Sequence, residues 1–176
     1  MNAIKSALCA AMLVACAASG SAGAADCAAS PCEAFFEVYL EVVASCEFVS
    51  TNDVAFGNQT VVPGQSLEAF GSLRVRCNVP VAYQIGLDQG LHGTGINDRK
   101  MVGPGGDTIA YQLYSGDTGT TACNDAGAQW GNTTGDCMYG DSYTGTEQDI
   151  QIHGKLTMGN PRAGSYSDTI TATIKY

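Results

Sequence analysis

The chain has 176 residues, enough for one domain with a sizeable core. It carries 8 Lys and Arg against 17 Asp and Glu, a formal net charge of −9. A chain this acidic offers no basic face to nucleic acid and gains nothing from an anionic membrane surface.

Residues 1–25 read as a secretory signal. Lys5 supplies a short positive start, residues 7–18 are apolar, and Ser21-Ala22-Gly23-Ala24-Ala25 offers small residues for cleavage. The stretch is too short to span a membrane, and no other segment approaches the roughly 18 apolar residues that a spanning helix needs. Export is therefore expected. Leu13-Val14-Ala15-Cys16 also resembles a lipobox, which makes lipidation of Cys16 an alternative to plain cleavage. Residues 26–45 then form an N-terminal extension, and residues 46–176 form the folded domain.

Cleavage removes Cys9 and Cys16 and leaves Cys27, Cys32, Cys46, Cys77, Cys123 and Cys137. An even number in an exported chain predicts disulfides, and six cysteines allow 15 pairings among which the sequence does not choose. No Cys-x-x-Cys pair occurs, and His92 and His153 stand apart, so no metal site and no cofactor are expected.

With 22 Gly, 5 Pro and no sustained helical period after the signal, the chain reads as all-β, an antiparallel sandwich of short strands between turns. In chain order, Phe36, Val38, Leu40 and Val42 alternate with Glu37, Tyr39, Glu41 and Val43. Leu73, Val75 and Cys77 alternate with Arg74 and Arg76. Val81, Tyr83, Ile85 and Leu87 form the next inward row, followed by Ile109, Tyr111 and Leu113, then Ile150, Ile152 and Leu156. One apolar face per strand is the mark of sheets with one wet side.

Residues 116–145 are the longest break, and loops of that length are usually functional or disordered. Cys123 and Cys137 lie within it, and a bridge between them would contribute about 3 kcal/mol by closing the loop. Trp130, Tyr139 and Tyr143 lie there too. Exposed, they could stack on sugars or on a surface; buried, Trp130 would cap the core beneath the loop.

No Gly-x-Ser-x-Gly or His-Glu-x-x-His occurs, so no enzyme is expected. Asp88, Asp98, Asp107, Asp117, Asp125, Asp136 and Asp141 fit turn chemistry and lack calcium-loop spacing.

From Thr169 the alternation is strict, with Ile170, Ala172, Ile174 and Tyr176 on one side. A sandwich ending on such a strand is either complete or takes a strand from elsewhere. The run at residues 34–43 is a candidate for that strand. Burying its four apolar side chains would contribute roughly 1.5–3 kcal/mol each. Insertion into its own domain and donation to a neighbour are both open from these residues.

Three stretches resemble the spore coat protein U domain, which is also the pilin fold of archaic chaperone–usher pili. The first is the arm leading into Val42-Val43-Ala44-Ser45-Cys46. The second is Gly71-Ser72-Leu73-Arg74-Val75-Arg76-Cys77 with Tyr83-Gln84-Ile85-Gly86-Leu87. The third joins Arg99-Lys100-Met101-Val102, Asp107-Thr108-Ile109-Ala110-Tyr111-Gln112-Leu113-Tyr114 and Ala163-Gly164-Ser165-Tyr166-Ser167-Asp168-Thr169-Ile170.

The resemblance implies an immunoglobulin-like sandwich that lacks one strand. A periplasmic chaperone would lend that strand first; at an outer-membrane usher, the extension of the next pilin subunit would replace it. Phe36, Val38, Leu40 and Val42 would be the donated face, and Ile170, Ala172, Ile174 and Tyr176 the groove wall. The terminal carboxylate of Tyr176 would suit basic residues of the chaperone. The resemblance implies a Cys46–Cys77 bridge and offers no counterpart for Cys27 and Cys32. The implied role is an exported structural subunit of surface fimbriae, supporting adhesion or biofilm formation. A coat protein of a spore or cell surface, or a tip adhesin using the long loop, are the alternatives.

Overall fold

The computed structural model describes residues 30–116, 123 and 128–176. The signal segment, Cys16, Cys27, Asp117 and Asp125 lie outside the described residues. Among the described residues, no helix is long and apolar enough to cross a membrane. The chain divides into two units, residues 1–41 and 42–176.

In the first unit, residues 30–41 carry no strand and are exposed. Phe36, Val38 and Leu40 stand at 85%, 87% and 86% exposure. The alternating run thus has no strand pairing in this structure. Alternation prepares a face, but a strand also needs a second backbone for its N–H and C=O groups.

The second unit holds β1 (Cys46–Asn52), β2 (Ser66–Cys77), β3 (Val81–Leu87), β4 (Lys100–Val102), β5 (Thr108–Ser115), β6 (Tyr139–Tyr143), β7 (Gln148–Thr157) and β8 (Ala172–Lys175). They form a five-stranded sheet in the order β1-β2-β7-β5-β4 and a three-stranded sheet in the order β6-β3-β8. Every ladder is antiparallel.

The inward rows of β2, β3, β5 and β7 meet in one core that includes Leu73, Val75, Tyr83, Ile85, Leu87, Leu113, Ile150 and Leu156. Their outward neighbours are mostly polar, and on the five-stranded sheet several pair across strands, while the exposed Phe70 of β2 stacks on His153 of β7. Arg74 lies beside Asp149 in the β2–β7 register and binds it at 2.7 Å.

The long break of residues 116–145 is not wholly loop. It contains β6, which pairs with β3 from Val81↔Tyr143 to Ile85↔Tyr139. Tyr-Gly-Asp-Ser-Tyr hides this strand, because glycine and turn-forming residues separate its two inward tyrosines. Trp130, Tyr139 and Tyr143 are buried at 0%, 3% and 5% exposure, so they line the core rather than present a binding face.

Trp130 joins the two sheets. Its ring N–H donates to the Ile85 carbonyl at 2.7 Å, its backbone N–H donates to the Leu113 carbonyl of β5 at 2.9 Å, and the Leu87 N–H donates to the Gly131 carbonyl at 3.0 Å. The Cys123–Cys137 disulfide holds this segment, since Ser115 of β5 donates to the Cys123 carbonyl and Gly131 to that of Cys137.

Candidate functional site: an open edge

Trp130 and Gly131 determine which side of the sandwich is shut. They tie β5 to the side of β3 that also carries β6. Leu87 pairs with Ala172 of β8 on its other side. The closed side therefore holds β5 and β6, and the opposite side holds β1 and β8. Among the described residues, each of these two strands pairs with one neighbour only.

Burial follows this geometry. On β3, Ile85 and Leu87 are 0% and 1% exposed. Their partners on β8, Ile174 and Ala172, face the same core and are only half-buried. Likewise Val75 of β2 is fully buried, while its β1 partner Phe48 is half-buried. Inward apolar rows that are half wet on both facing edges define a groove that lacks a strand. Its walls are β1 and β8.

The expected C-terminal strand from Thr169 is shorter than its alternation. β8 spans four residues, with Ile170 before it, half-buried against the core, and Tyr176 after it at 55% exposure. At its start, pairing stops where β3 ends at Leu87, whereas at its other end β3 runs on to Val81.

The approach to β8 is clamped. The Asp88 backbone N–H donates to the Thr171 carbonyl at 3.0 Å, and the Asp88 carboxylate accepts the Thr171 N–H at 2.9 Å. Burial pushes the Asp88 carboxyl up, but the N–H groups of Thr171 and Gly90 outweigh it and hold it below its usual value. The Asp168 carboxylate, only 2% exposed, accepts from the N–H groups of Leu91 and Thr169 and from the Tyr111 hydroxyl, and pairs with His92 at 2.9 Å. Burial, helped by that hydroxyl bond to Asp168, pushes the Tyr111 phenol far up. Arg99 is fully buried and donates to the carbonyls of Leu87, Asp88 and Trp130. Burial lowers its pKa. These groups fix the wall of the groove.

β1 is fastened differently. The Cys46–Cys77 disulfide joins residues that face each other across β1 and β2. Just before it, the Asn78 side chain donates to the Val43 carbonyl at 2.9 Å and accepts the Ser45 N–H at 2.8 Å. Beyond β1, Val54 and Phe56 cross the inner face, where they cover Gly71 of β2 and Gly154 of β7.

Of the anticipated site residues, Ile170, Ala172 and Ile174 stand on the inner face of one wall, with Tyr176 at its end. Phe36, Val38, Leu40 and Val42 stand exposed in the segment that precedes β1. Cys32 is disulfide-bonded. Phe48, Asn78 and Asp88 escaped the sequence reading. Phe48 had a signal, being in phase with Cys46, whereas Asn78 and Asp88 act through partners far along the chain.

Among the described residues, no group of three or more His, Cys, Asp or Glu could hold a metal ion. Two antiparallel sheets, shut along one side and open along the other, define an incomplete immunoglobulin-like domain. The Spore Coat Protein U domain family matches residues 33–173, and the chain belongs to that family.

No curated protein matches the chain. Among solved structures, it is similar to one chain of the CsuC–CsuE chaperone–tip adhesion subunit pre-assembly complex from the archaic chaperone–usher Csu pili of Acinetobacter baumannii. Identity is 22% and the TM-score 0.53, over 77% of this chain and 40% of that one. The chain thus spans well under half the length of that relative.

Proposed function

We propose that this protein is a secreted structural subunit that polymerises into surface fimbriae by strand donation. Residues 34–43 of one copy fill the groove between β1 and β8 of the next. A periplasmic chaperone fills that groove beforehand, and an outer-membrane usher is the place of exchange. The carrying observation is a matched pair of deficits. The wall of the groove has an inward row of Ile170, Ala172 and Ile174 left half-buried, and the arm has an apolar row left exposed. Each is costly in water, and joining them buries both.

Membership of the spore coat protein U family and the likeness to a chaperone–subunit complex support this reading. The role is structural, and adhesion or biofilm formation is its outcome. A tip adhesin that grips through Trp130, Tyr139 and Tyr143 is disfavoured by their burial.

A chain lacking residues 26–43 is expected to bind its chaperone yet stay out of fibres. Normal polymerisation of that chain would sink the proposal. In the full chain, Leu40→Lys is expected to abolish assembly, because an unpaired ammonium cannot be buried in an apolar groove without a large cost. Wild-type fibres from this variant would point instead to insertion of the arm into its own domain.

A further inference from the structure

We propose that an ion pair between Glu37 of one copy and Lys175 of the next sets the register in which the arm enters the groove. This rests on the strand-donation reading and adds an alignment rule to it.

Lys175 is singular among the described cations. Arg74, Arg76, Lys100, Lys155 and Arg162 each lie within 4.0 Å of a carboxylate. Arg99 is buried among carbonyls. Lys175 is exposed, and its ammonium touches only the Asn132 carbonyl at 3.4 Å and the Met138 sulfur at 3.9 Å. It stands on the outer row of β8, on the strand whose far edge is unpaired among the described residues.

The arm carries the complement. Glu33, Glu37 and Glu41 recur every four residues, so in an extended strand they share the face opposite Phe36, Val38, Leu40 and Val42. None of the three is paired with a cation among the described residues.

Side-chain period and charge together narrow the register. With the apolar row turned inward, only the other row can stand beside Lys175, because a one-residue slip would turn every side chain over. Within that row acidic and uncharged residues alternate, from Glu33 to Val43. Steps of two residues therefore offer Lys175 a carboxylate and an uncharged side chain by turns.

Every ladder in this fold is antiparallel, the more stable pairing per residue. With an antiparallel arm, placing Glu37 beside Lys175 sets Val38 beside Ile174, Leu40 beside Ala172 and Val42 beside Ile170. The large Leu40 then meets the smallest wall residue, and Phe36 covers the exposed Tyr176. Placing Glu41 there instead leaves only Leu40 and Val42 against these wall residues, and placing Glu33 there sets the small Ala34 beside Ile174 and carries Leu40 and Val42 past Ile170. Charge and volume select the same alignment. Because Lys175 is exposed, the pair chooses among registers more than it adds affinity.

The test follows assembly of the full chain into SDS-resistant ladders, with a thermal melt of each variant to confirm folding. Lys175→Glu and Glu37→Lys are each expected to slow assembly about fivefold, since like charges then face each other across the strands. The double reversal Glu37→Lys with Lys175→Glu is expected to restore the rate, while Glu41→Lys with Lys175→Glu is not. Wild-type rates in both single variants, or rescue through Glu41 in place of Glu37, would overturn the inference and leave strand donation standing. Absence of ladders from the wild-type chain would remove both.

Discussion

Asp88 shows how one side chain holds a wall of the groove. It takes the Thr171 N–H just before β8 and the Gly90 N–H in its own turn, and both keep its carboxyl ionised below the ordinary value of 3.8. A group whose folded pKa is lowered contributes stability that is complete above its unfolded pKa and lost as pH falls through the folded one. Asp88→Ala is expected to cost about 1–2 kcal/mol at neutral pH. In thermal melts, the gap between wild type and Asp88→Ala is expected to narrow as pH falls below about 4. A gap that widened in acid would contradict this account. The sequence placed Asp88 only among turn formers. Its partner lies 83 positions away, and nothing in local chemistry announces such a distance. Arg99 escaped for a similar reason: its spelling is that of a surface residue, while three carbonyls from distant segments surround it.

At the level of elements, the strands with a clean apolar row were legible. β2, β3, β5 and β7 each carry the inward residues that alternation gave them, because each is flanked on both sides and packs one face on the core. β6 was not legible, since a strand of Tyr, Gly, Asp and Ser shows neither branched residues nor an unbroken pattern. The crossing of the inner face by Val54 and Phe56 was also hidden. Its sign in the sequence is glycine at positions 71 and 154, which resembles turn chemistry and is really a matter of space. A Cβ at Gly71 would sit 2.6 Å from the Asn52 carbonyl oxygen and 2.9 Å from Val54. Gly71→Ala is expected to cost about 1–3 kcal/mol in denaturant melts by lifting that segment. Gly95→Ala, with nothing within 4 Å of the added carbon, is expected to change stability little. Equal effects from the two substitutions would remove the packing explanation.

On the scale of the whole molecule, the proposed strand donation would make stability depend on a neighbour. A full chain carrying Leu40→Lys has a disabled arm and an intact groove, which makes it a clean recipient. A peptide of residues 33–45, at about 100 times its dissociation constant, is expected to stabilise that recipient by about 2.7 kcal/mol. The same peptide carrying Leu40→Lys is expected to do nothing, and an equal shift from both peptides would show that the groove is not the acceptor. The closed side has a consequence of its own. Trp130 and Gly131 tie the sheets together along β5 and β6, so of the two long openings that a sandwich could present, one is permanently occupied. In the language of polymer chemistry, the proposed donation would make the monomer bifunctional: one arm to give and one opening to receive. Such a unit grows as a line and does not branch, and its head-to-tail contact does not close on itself in pairs. The number of links is then governed by supply and by whatever caps an end. Under strand donation, a single buried tryptophan on the closed side would thereby hold the assembly to one dimension.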